Sequence, residues 1–144
     1  MKKYGYAVKS VQDLLLLERA RHVYINADRR SNPMDMGFAE RFMEDVAYGN
    51  PTAPFVIHNY IDDCNLCKYR VLDGRNRFSL LSMISRGSSV YKDFATKVGL
   101  LDEKGKSTKT LLSYEIPILF LYGEFENVVE TLKRYGLDGF EDAA

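Results

Sequence analysis

Hydrophobic residues recur along the chain with the two periods that are typical of helices and of strands. The clearest helical pattern runs from Asp35 to Gly49, where Phe38, Phe42 and Val46 recur every four residues. Charged residues fall largely on the other side of this segment. The pattern predicts an amphipathic helix, which Gly49 can end because glycine adopts the left-handed conformation without strain.

The segments on either side of Asp62–Cys67 combine β-branched and aromatic residues, as strands do. Phe55–Ile61 and Lys68–Leu72 are separated only by this short turn, which predicts an antiparallel hairpin. Further along, Ser113–Leu121 has the pattern of a strand. Its Pro117 indicates either an edge strand or the start of a strand, because proline lacks the donor that a sheet needs.

The remaining segments complete a mixed order of helices and strands. Ser10 is a typical N-cap for a helix of about ten residues. Residues 87–110 show no clear period, and 101–106 has the composition of a solvated turn. The expected order is a helix from Ser10, a strand at His22–Ile25, a helix at Asp35–Gly49, the hairpin, a helix at Arg75–Arg86, the irregular stretch, a strand at Ser113–Leu121 and a helix at Gly123–Tyr135. This order predicts an α/β (α+β) fold with a small mixed sheet flanked by helices.

Composition indicates one domain over residues 1–144. Of the 144 residues, 46% are hydrophobic, enough for a core that needs neither disulfides nor a metal. Twenty basic residues balance twenty acidic ones, which argues against a protein held on nucleic acid mainly by bulk charge. The apolar runs are too short to span a bilayer, and the sequence has no recognisable signal peptide. We therefore expect a cytoplasmic protein without membrane association.

The strongest chemical signal is the junction where the hairpin runs into the next helix, Asp73-Gly74-Arg75-Asn76-Arg77. A helix N-terminus presents unpaired amides and a partial positive charge, both of which favour a phosphate. Gly74 would let a ligand approach the backbone, while Arg75 and Arg77 would hold phosphate oxygens. A structural interpretation is equally simple: Asp73 caps the helix and forms a surface ion pair with Arg77.

This junction resembles the Asp-Gly-Gln-Gln-Arg signature found in the ParB/sulfiredoxin-like superfamily, in the N-terminal domain of GmrSD-type restriction enzymes. The signature stands here as Asp73–Arg77, after an expected strand and before an apolar helix. The family's earlier Gln-Arg motif is matched by Asp28-Arg29, and its Gly-Tyr-Pro-Ile-Pro segment loosely by residues 49–55. The resemblance covers residues 10–86 and extends to the strand at 116–121.

The resemblance implies a ParB-like fold whose cleft binds a nucleoside triphosphate, with Mg²⁺ as the ion that accompanies it. Whether the NTP is hydrolysed is an open question, because Asp28, Arg75 and Asn76 replace glutamines of the family motifs. Carried over by position, the expected catalytic residues are Asp73 and Arg77, and the expected nucleotide-binding residues are Gly74, Arg75, Asn76, Arg29 and Arg30.

In restriction relatives this domain regulates the cleavage of modified DNA, so the resemblance implies a stand-alone regulator of the kind found in phages or defence loci. A complete nuclease is not expected, because the sequence contains no His-Asn-His pattern. The alternative is a catalytically silent module that binds a protein or DNA partner. Homodimer formation stays open in either case.

Cys64-Asn65-Leu66-Cys67 is a lone Cys-x-x-Cys at the expected hairpin turn. A structural zinc ion needs four ligands and a second pair of cysteines is missing, so His58 at the hairpin and Asp62 or Asp63 would have to complete a set. Two free thiols are the simpler interpretation. A thioredoxin-like redox role would need the pair at the start of a helix. Neither histidine of the sequence accompanies a recognisable nucleophile motif.

Overall fold

The computed structural model describes residues 4–24 and 35–134. Within them the chain forms a five-stranded mixed sheet with helices packed against both faces. The strands are β1 (Tyr4–Ser10), β2 (Val23–Tyr24), β3 (Phe55–Ile61), β4 (Cys67–Asp73) and β5 (Glu115–Tyr122). The helices are α1 (Val11–Arg19), α2 (Met36–Tyr48), α3 (Arg75–Ser85), α4 (Ser89–Lys97), α5 (Lys109–Leu112) and α6 (Phe125–Arg134). The small α/β domain that the element pattern predicts is therefore confirmed.

The strands lie in the order β1-β5-β3-β4-β2. β3 and β4 form the predicted antiparallel hairpin, while β5 is parallel to β3 and antiparallel to β1. The short β2 pairs in parallel with β4, Tyr24 lying opposite Arg70. The register of the hairpin shifts between Val56 and Ile57, where β4 carries one extra residue, a β-bulge close to the end of β4.

Alternate residues of the hairpin enter two separate cores, because successive side chains of a strand point to opposite faces. Phe55 and Ile57 belong to the main core, which also contains the buried residues of α1–α4. Val56 lies in a smaller cluster with Leu72 of β4 and with Val128 and Leu132 of α6. The main core covers one face of the sheet, and α6 covers part of the other.

The ends of the first two helices follow the sequence signals. The Ser10 hydroxyl accepts a hydrogen bond from the amide of Asp13 at 3.1 Å, and the Asp35 carboxylate accepts one from the amide of Phe38 at 3.2 Å. Gly49 follows α2 in the left-handed conformation, with φ at 73°. The contacts of Ser10 and Gly49 confirm the predicted start of α1 and end of α2, and the structure adds the Asp35 cap.

The structure also contains three elements that the element order omits: β1, α4 and α5. β1 pairs with β5 from Tyr4–Leu121 to Ser10–Glu115, a contact between distant parts of the chain. α4 lies in the segment that shows no clear period, and α5 begins at its end. These helices bury only a few residues each, among them Tyr91, Ala95 and Leu111. Local patterning is weakest where an element owes its place to tertiary packing.

Two further expectations concern β5 and the polar segment before it. β5 lies between β1 and β3, so the edge-strand interpretation of Pro117 is wrong. Pro117 is the third residue of β5, and the pairing of β5 with β3 begins only at Ile118. Its position near the start of the strand agrees with the other interpretation. The expected turn is confirmed, since the Asp102 carboxylate accepts hydrogen bonds from the amides of Lys104 and Lys106 at 2.8 and 2.9 Å.

Some expectations fall outside the described residues: those on Ile25, Asp28, Arg29, Arg30 and Tyr135. Across the described ranges, no helix is long and apolar enough to cross a membrane.

Candidate functional site

The candidate junction is a tight connection between β4 and α3. β4 ends at Asp73, Gly74 has φ at 95°, and α3 begins at Arg75. The Gly74 carbonyl accepts the first hydrogen bond of the helix from the amide of Phe78 at 2.8 Å. The N-cap is therefore Gly74 and not Asp73 as predicted, because Asp73 still belongs to the strand, opposite Val56. α3 has no side-chain cap at this end.

Gly74 is required here by its contact with the aromatic ring of Phe55. A Cβ at this position would lie 2.8 Å from the ring, closer than carbon atoms pack. Gly74 is buried against this ring, and its positive φ is one that other residues rarely adopt. The sequence predicts an opening for a ligand at Gly74, whereas the structure fills the space beside its Cα with Phe55.

Arg77 connects α3 to the segment that precedes β3. Its Nη1 donates hydrogen bonds to the Thr52 hydroxyl at 2.8 Å and to the Ala53 carbonyl, and its guanidinium lies 4.7 Å from the centre of the Phe55 ring. Only 13% of the side chain is exposed. These contacts give Arg77 a structural role within the fold, since they hold one face of the junction in place.

The ion pair predicted between Asp73 and Arg77 is present but long. Arg77 Nη2 lies 3.9 Å from Asp73 Oδ2, and the Asp73 side chain is about half exposed. Burial lowers the pKa of Arg77, and the charge of Asp73 opposes that shift. Arg77 stays a cation at neutral pH, because arginine titrates far above it. Asp73 is thus a carboxylate in contact with solvent beside the uncapped end of α3.

The other motif residues lie at the first turn of α3. Arg75 and Asn76 are its first two residues, and both are half-buried. This places Arg75 at the turn itself, as the sequence argument requires if Arg75 and Arg77 are to approach one ligand. Arg29 and Arg30, the other expected nucleotide-binding residues, lie outside the described residues.

The parallel pairing of β2 with β4 determines which parts of the chain meet at this edge of the sheet. Tyr24 ends β2 opposite Arg70, three residues before Asp73. Both strands run in the same direction, so their carboxyl ends lie at the same end of the sheet. In open α/β sheets this edge is where ligands usually bind.

A cleft lies toward the other end of the hairpin. Its volume is about 660 Å³, and it lies where the pairing of β3 with β5 ends, at Asn59–Tyr122. The floor includes the buried His58, whose ring is stacked on Tyr60 at 5.7 Å, and Arg70, whose guanidinium lies 4.6 Å from the Tyr60 ring centre. The sequence analysis missed this group because it depends on the hairpin register, in which His58 faces Arg70.

His58 is held in the cleft by the loop that precedes α6. Its Nε2 lies 2.7 Å from the Gly123 carbonyl, so this nitrogen carries the proton and donates it. Burial lowers the pKa of His58 below its ordinary value; the hydrogen bond to the Gly123 carbonyl opposes this shift, and weaker effects come from the charge of Arg70, which lowers the pKa, and of Glu124, which raises it. The imidazole is therefore neutral at physiological pH and serves as a fixed hydrogen-bond donor between β3 and the α6 loop.

The hairpin turn contains the two cysteines as free, exposed thiols. Cys67 Sγ donates a hydrogen bond to Asn59 Oδ1 at 3.0 Å. Burial raises the pKa of the neighbouring Tyr69, and Cys67 raises it further. Within the described ranges, no three His, Cys, Asp or Glu side chains are grouped to hold a metal ion. The ligand set considered for zinc within one chain, Cys64 and Cys67 with His58 and Asp62 or Asp63, is not brought together.

Comparison with known proteins adds no relative: no family model matches the chain, and no match is found among curated proteins or solved structures.

Proposed function

We propose that this domain binds a nucleoside triphosphate at the end of the sheet where β2 and β4 terminate, in the manner of a ParB-like domain. The observation that carries the proposal is the parallel pairing of these two strands. It places the last residue of β2, Tyr24, near the strand that leads into the Asp73–Arg77 junction. Arg29 is five residues beyond Tyr24, a reach of about 16 Å in an extended chain.

The phosphates would lie against the first turn of α3. Its first amides are not capped by a side chain, and they carry the positive end of the helix dipole. Arg75, the first residue of α3, would supply the guanidinium that contacts phosphate oxygens, together with Asn76 and with Arg29 and Arg30. Asp73, half exposed beside this turn, would hold a Mg²⁺ ion that bridges to the phosphates.

In this proposal Arg77 positions the site, whereas its spacing in the sequence indicates a direct contact with phosphate. Its contacts with Thr52, Ala53 and Phe55 fix the wall of the site, so Arg77 acts mainly by positioning. Hydrolysis would require a group that activates water. Asp73 is the one carboxylate of the Asp73–Arg77 motif and would be the group that activates water. An NTPase assay therefore follows once binding is established.

Thermal unfolding of the full chain with ATP, GTP, CTP or UTP, each with and without Mg²⁺, tests the proposal. A nucleotide present at a hundred times its Kd should stabilise the fold by about 2.7 kcal/mol, which raises Tm by several degrees. In R75A the rise should fall by more than half, because the variant loses the proposed phosphate contact. Arg41, exposed on α2, provides the matched control R41A.

R77A answers a separate question. We expect it to lower Tm without nucleotide, because Thr52 and Ala53 lose their donor. A nucleotide-dependent rise that is equal in wild type, R75A and R41A would exclude the first turn of α3 as the phosphate site. The absence of any rise with all four nucleotides would exclude NTP binding.

The second candidate is a catalytically silent module for a protein or DNA partner. The observation in its favour is the edge strand β1, whose Tyr4, Tyr6 and Val8 are exposed along one side, Tyr6 by 76%. A strand of this kind suits a protein partner that adds a strand to the sheet. The balanced net charge gives DNA no comparable support. This candidate predicts a folded protein with no response to nucleotides.

A further inference from the structure

We propose that the hairpin tip is one half of a zinc site that a second copy of the chain completes. Cys64 and Cys67 would supply two thiolates, and the same two cysteines of the other copy would supply the remaining two. The result is a tetrahedral Cys₄ centre that links two hairpins end to end. This proposal is independent of nucleotide binding, which is placed at the opposite end of the hairpin.

The spacing and the shape of the turn suit one half of such a site. Two residues separate the cysteines, as in the paired ligands of structural zinc sites. The turn between them is fixed by Asp62, whose Oδ1 accepts hydrogen bonds from the amides of Cys64 and Leu66, both at 2.9 Å. Asn65 turns the chain with φ at 64°. The backbone that carries both thiols is therefore set before any metal binds.

One copy of the described chain cannot provide the other two ligands at this tip. No third His, Cys, Asp or Glu is grouped with the cysteines in the ranges the structure describes. His58 is buried and bonded to the Gly123 carbonyl, and Asp62 is engaged by the amides of the turn. A structural zinc ion needs four protein ligands, and a second identical tip offers the missing pair.

The tip is placed where a second copy can reach it. On one side β5 stops pairing with β3 at Asn59, and on the other β2 begins pairing with β4 at Tyr69. The last two pairs of the hairpin, Tyr60–Lys68 and Ile61–Cys67, extend past both neighbours. Two large apolar side chains of the tip are exposed, Ile61 by 68% and Leu66 by 51%. Contact between two tips would cover them along with the metal.

The chemistry balances without a redox partner. One Zn²⁺ binds four thiols, four S–H protons pass to solvent, and the four thiolates leave the centre with two negative charges. Cys67 then no longer donates to Asn59, whose amide group can turn to donate its Nδ2 hydrogen to the thiolate. Lys68, whose ammonium already donates to the Arg21 carbonyl at 2.8 Å, adds positive charge next to Cys67.

The test is a titration of the reduced full chain with Zn²⁺, followed by metal analysis and by molar mass from light scattering after gel filtration. We expect one zinc per two chains and a doubling of mass, both reversed by a chelator. Co²⁺ in place of Zn²⁺ should give the visible spectrum of a tetrahedral tetrathiolate. C64S and C67S should each stay monomeric, with an unchanged Tm because both residues are exposed.

The matched control is S113A, a substitution of an exposed hydroxyl far from the tip, which should dimerise with zinc like wild type. One zinc per chain without a change in mass would overturn the proposal, as would no retained zinc while both thiols react freely. A zinc-dependent dimer that survives in C64S and C67S would also overturn it, because the metal would then be held elsewhere.

Discussion

At the junction of β4 and α3, two of the five motif residues are used by the fold itself. Gly74 makes room for the Phe55 ring, and Arg77 lies across that ring while it binds Thr52 and Ala53. The same sequence signal, a glycine and an arginine at a helix start, is therefore consistent with both packing and ligand binding. Substitution of Asp73, Arg75 and Asn76 with a nucleotide-binding readout distinguishes the two uses.

Gly74 provides a direct measure of this packing. G74A should lower the free energy of unfolding by about 2–4 kcal/mol, because it combines a strained φ with a Cβ that overlaps Phe55. G49A is the matched control, since Gly49 also has a positive φ but a Cβ there meets nothing within 4 Å. G49A should cost only about 1–2 kcal/mol, as expected for strain alone. Urea denaturation measures both, and equal losses would show that the Phe55 contact is unimportant.

His58 makes the stability of the domain depend on pH. Its pKa in the folded state lies below the ordinary 6.5, so the unfolded chain binds a proton more readily than the folded chain. The stabilising contribution of the neutral imidazole is present above pH 6.5 and is lost as the pH falls below that value, until His58 protonates in the folded state. We expect the free energy of unfolding to be level near neutrality and to decrease on mild acidification.

Urea denaturation over about pH 7.5 to 5.5 measures this dependence, above the range in which carboxylates titrate. H58Q is the control because it keeps an amide donor for the Gly123 carbonyl but does not titrate. A similar decrease in H58Q would assign the pH dependence to other groups.

Among the elements, α6 contributes its buried residues to the smaller of the two hydrophobic clusters. Its Val128 and Leu132 pack on Val56 and Leu72, and these four residues form a cluster apart from the main core. The polar loop before α6 is fixed by a different contact, the hydrogen bond between His58 and the Gly123 carbonyl. Val128 and Leu132 are therefore contacts of α6 that can be removed one at a time.

L132A should lower the free energy of unfolding by about 2–4 kcal/mol, because it removes one of four side chains from the α6 cluster. L81A, in α3 and the main core, is the comparison and should cost at least as much. Hydrogen exchange should show that L132A loses protection first in α6. A loss below about 1 kcal/mol for L132A would mean that the cluster does not hold α6 on the sheet.

The elements that the sequence predicts correctly are those whose signals are local. α2 has its apolar stripe, its Asp35 cap and its terminal Gly49, and the hairpin has two strands around a short turn. β1 has no comparable signal, because it owes its strand conformation to β5. The N-cap of α3 is Gly74, whereas the local sequence predicts Asp73. Local sequence cannot show this difference, because Asp73 is kept in β4 by its pairing with Val56 beside the bulge.

For the molecule as a whole, the sequence predicts the fold class, but it cannot predict which strands are neighbours. The sheet order depends on pairings between distant segments, such as β2 with β4 and β5 with β3. The same holds for the cleft at His58 and Arg70, which exists only because the register places these residues opposite each other. The Asp73–Arg77 junction, in contrast, could be found from five consecutive residues.

The sheet order also has a consequence for synthesis on the ribosome. β3 and β4 follow one another along the chain and can pair soon after they emerge. Among the strands in the described residues, β1 emerges first, yet its partner β5, paired from Tyr4–Leu121 to Ser10–Glu115, emerges last. The backbone groups of β1 that pair with β5 must therefore stay without that partner during most of translation. This interval is when the nascent chain is most exposed to aggregation and most accessible to chaperones.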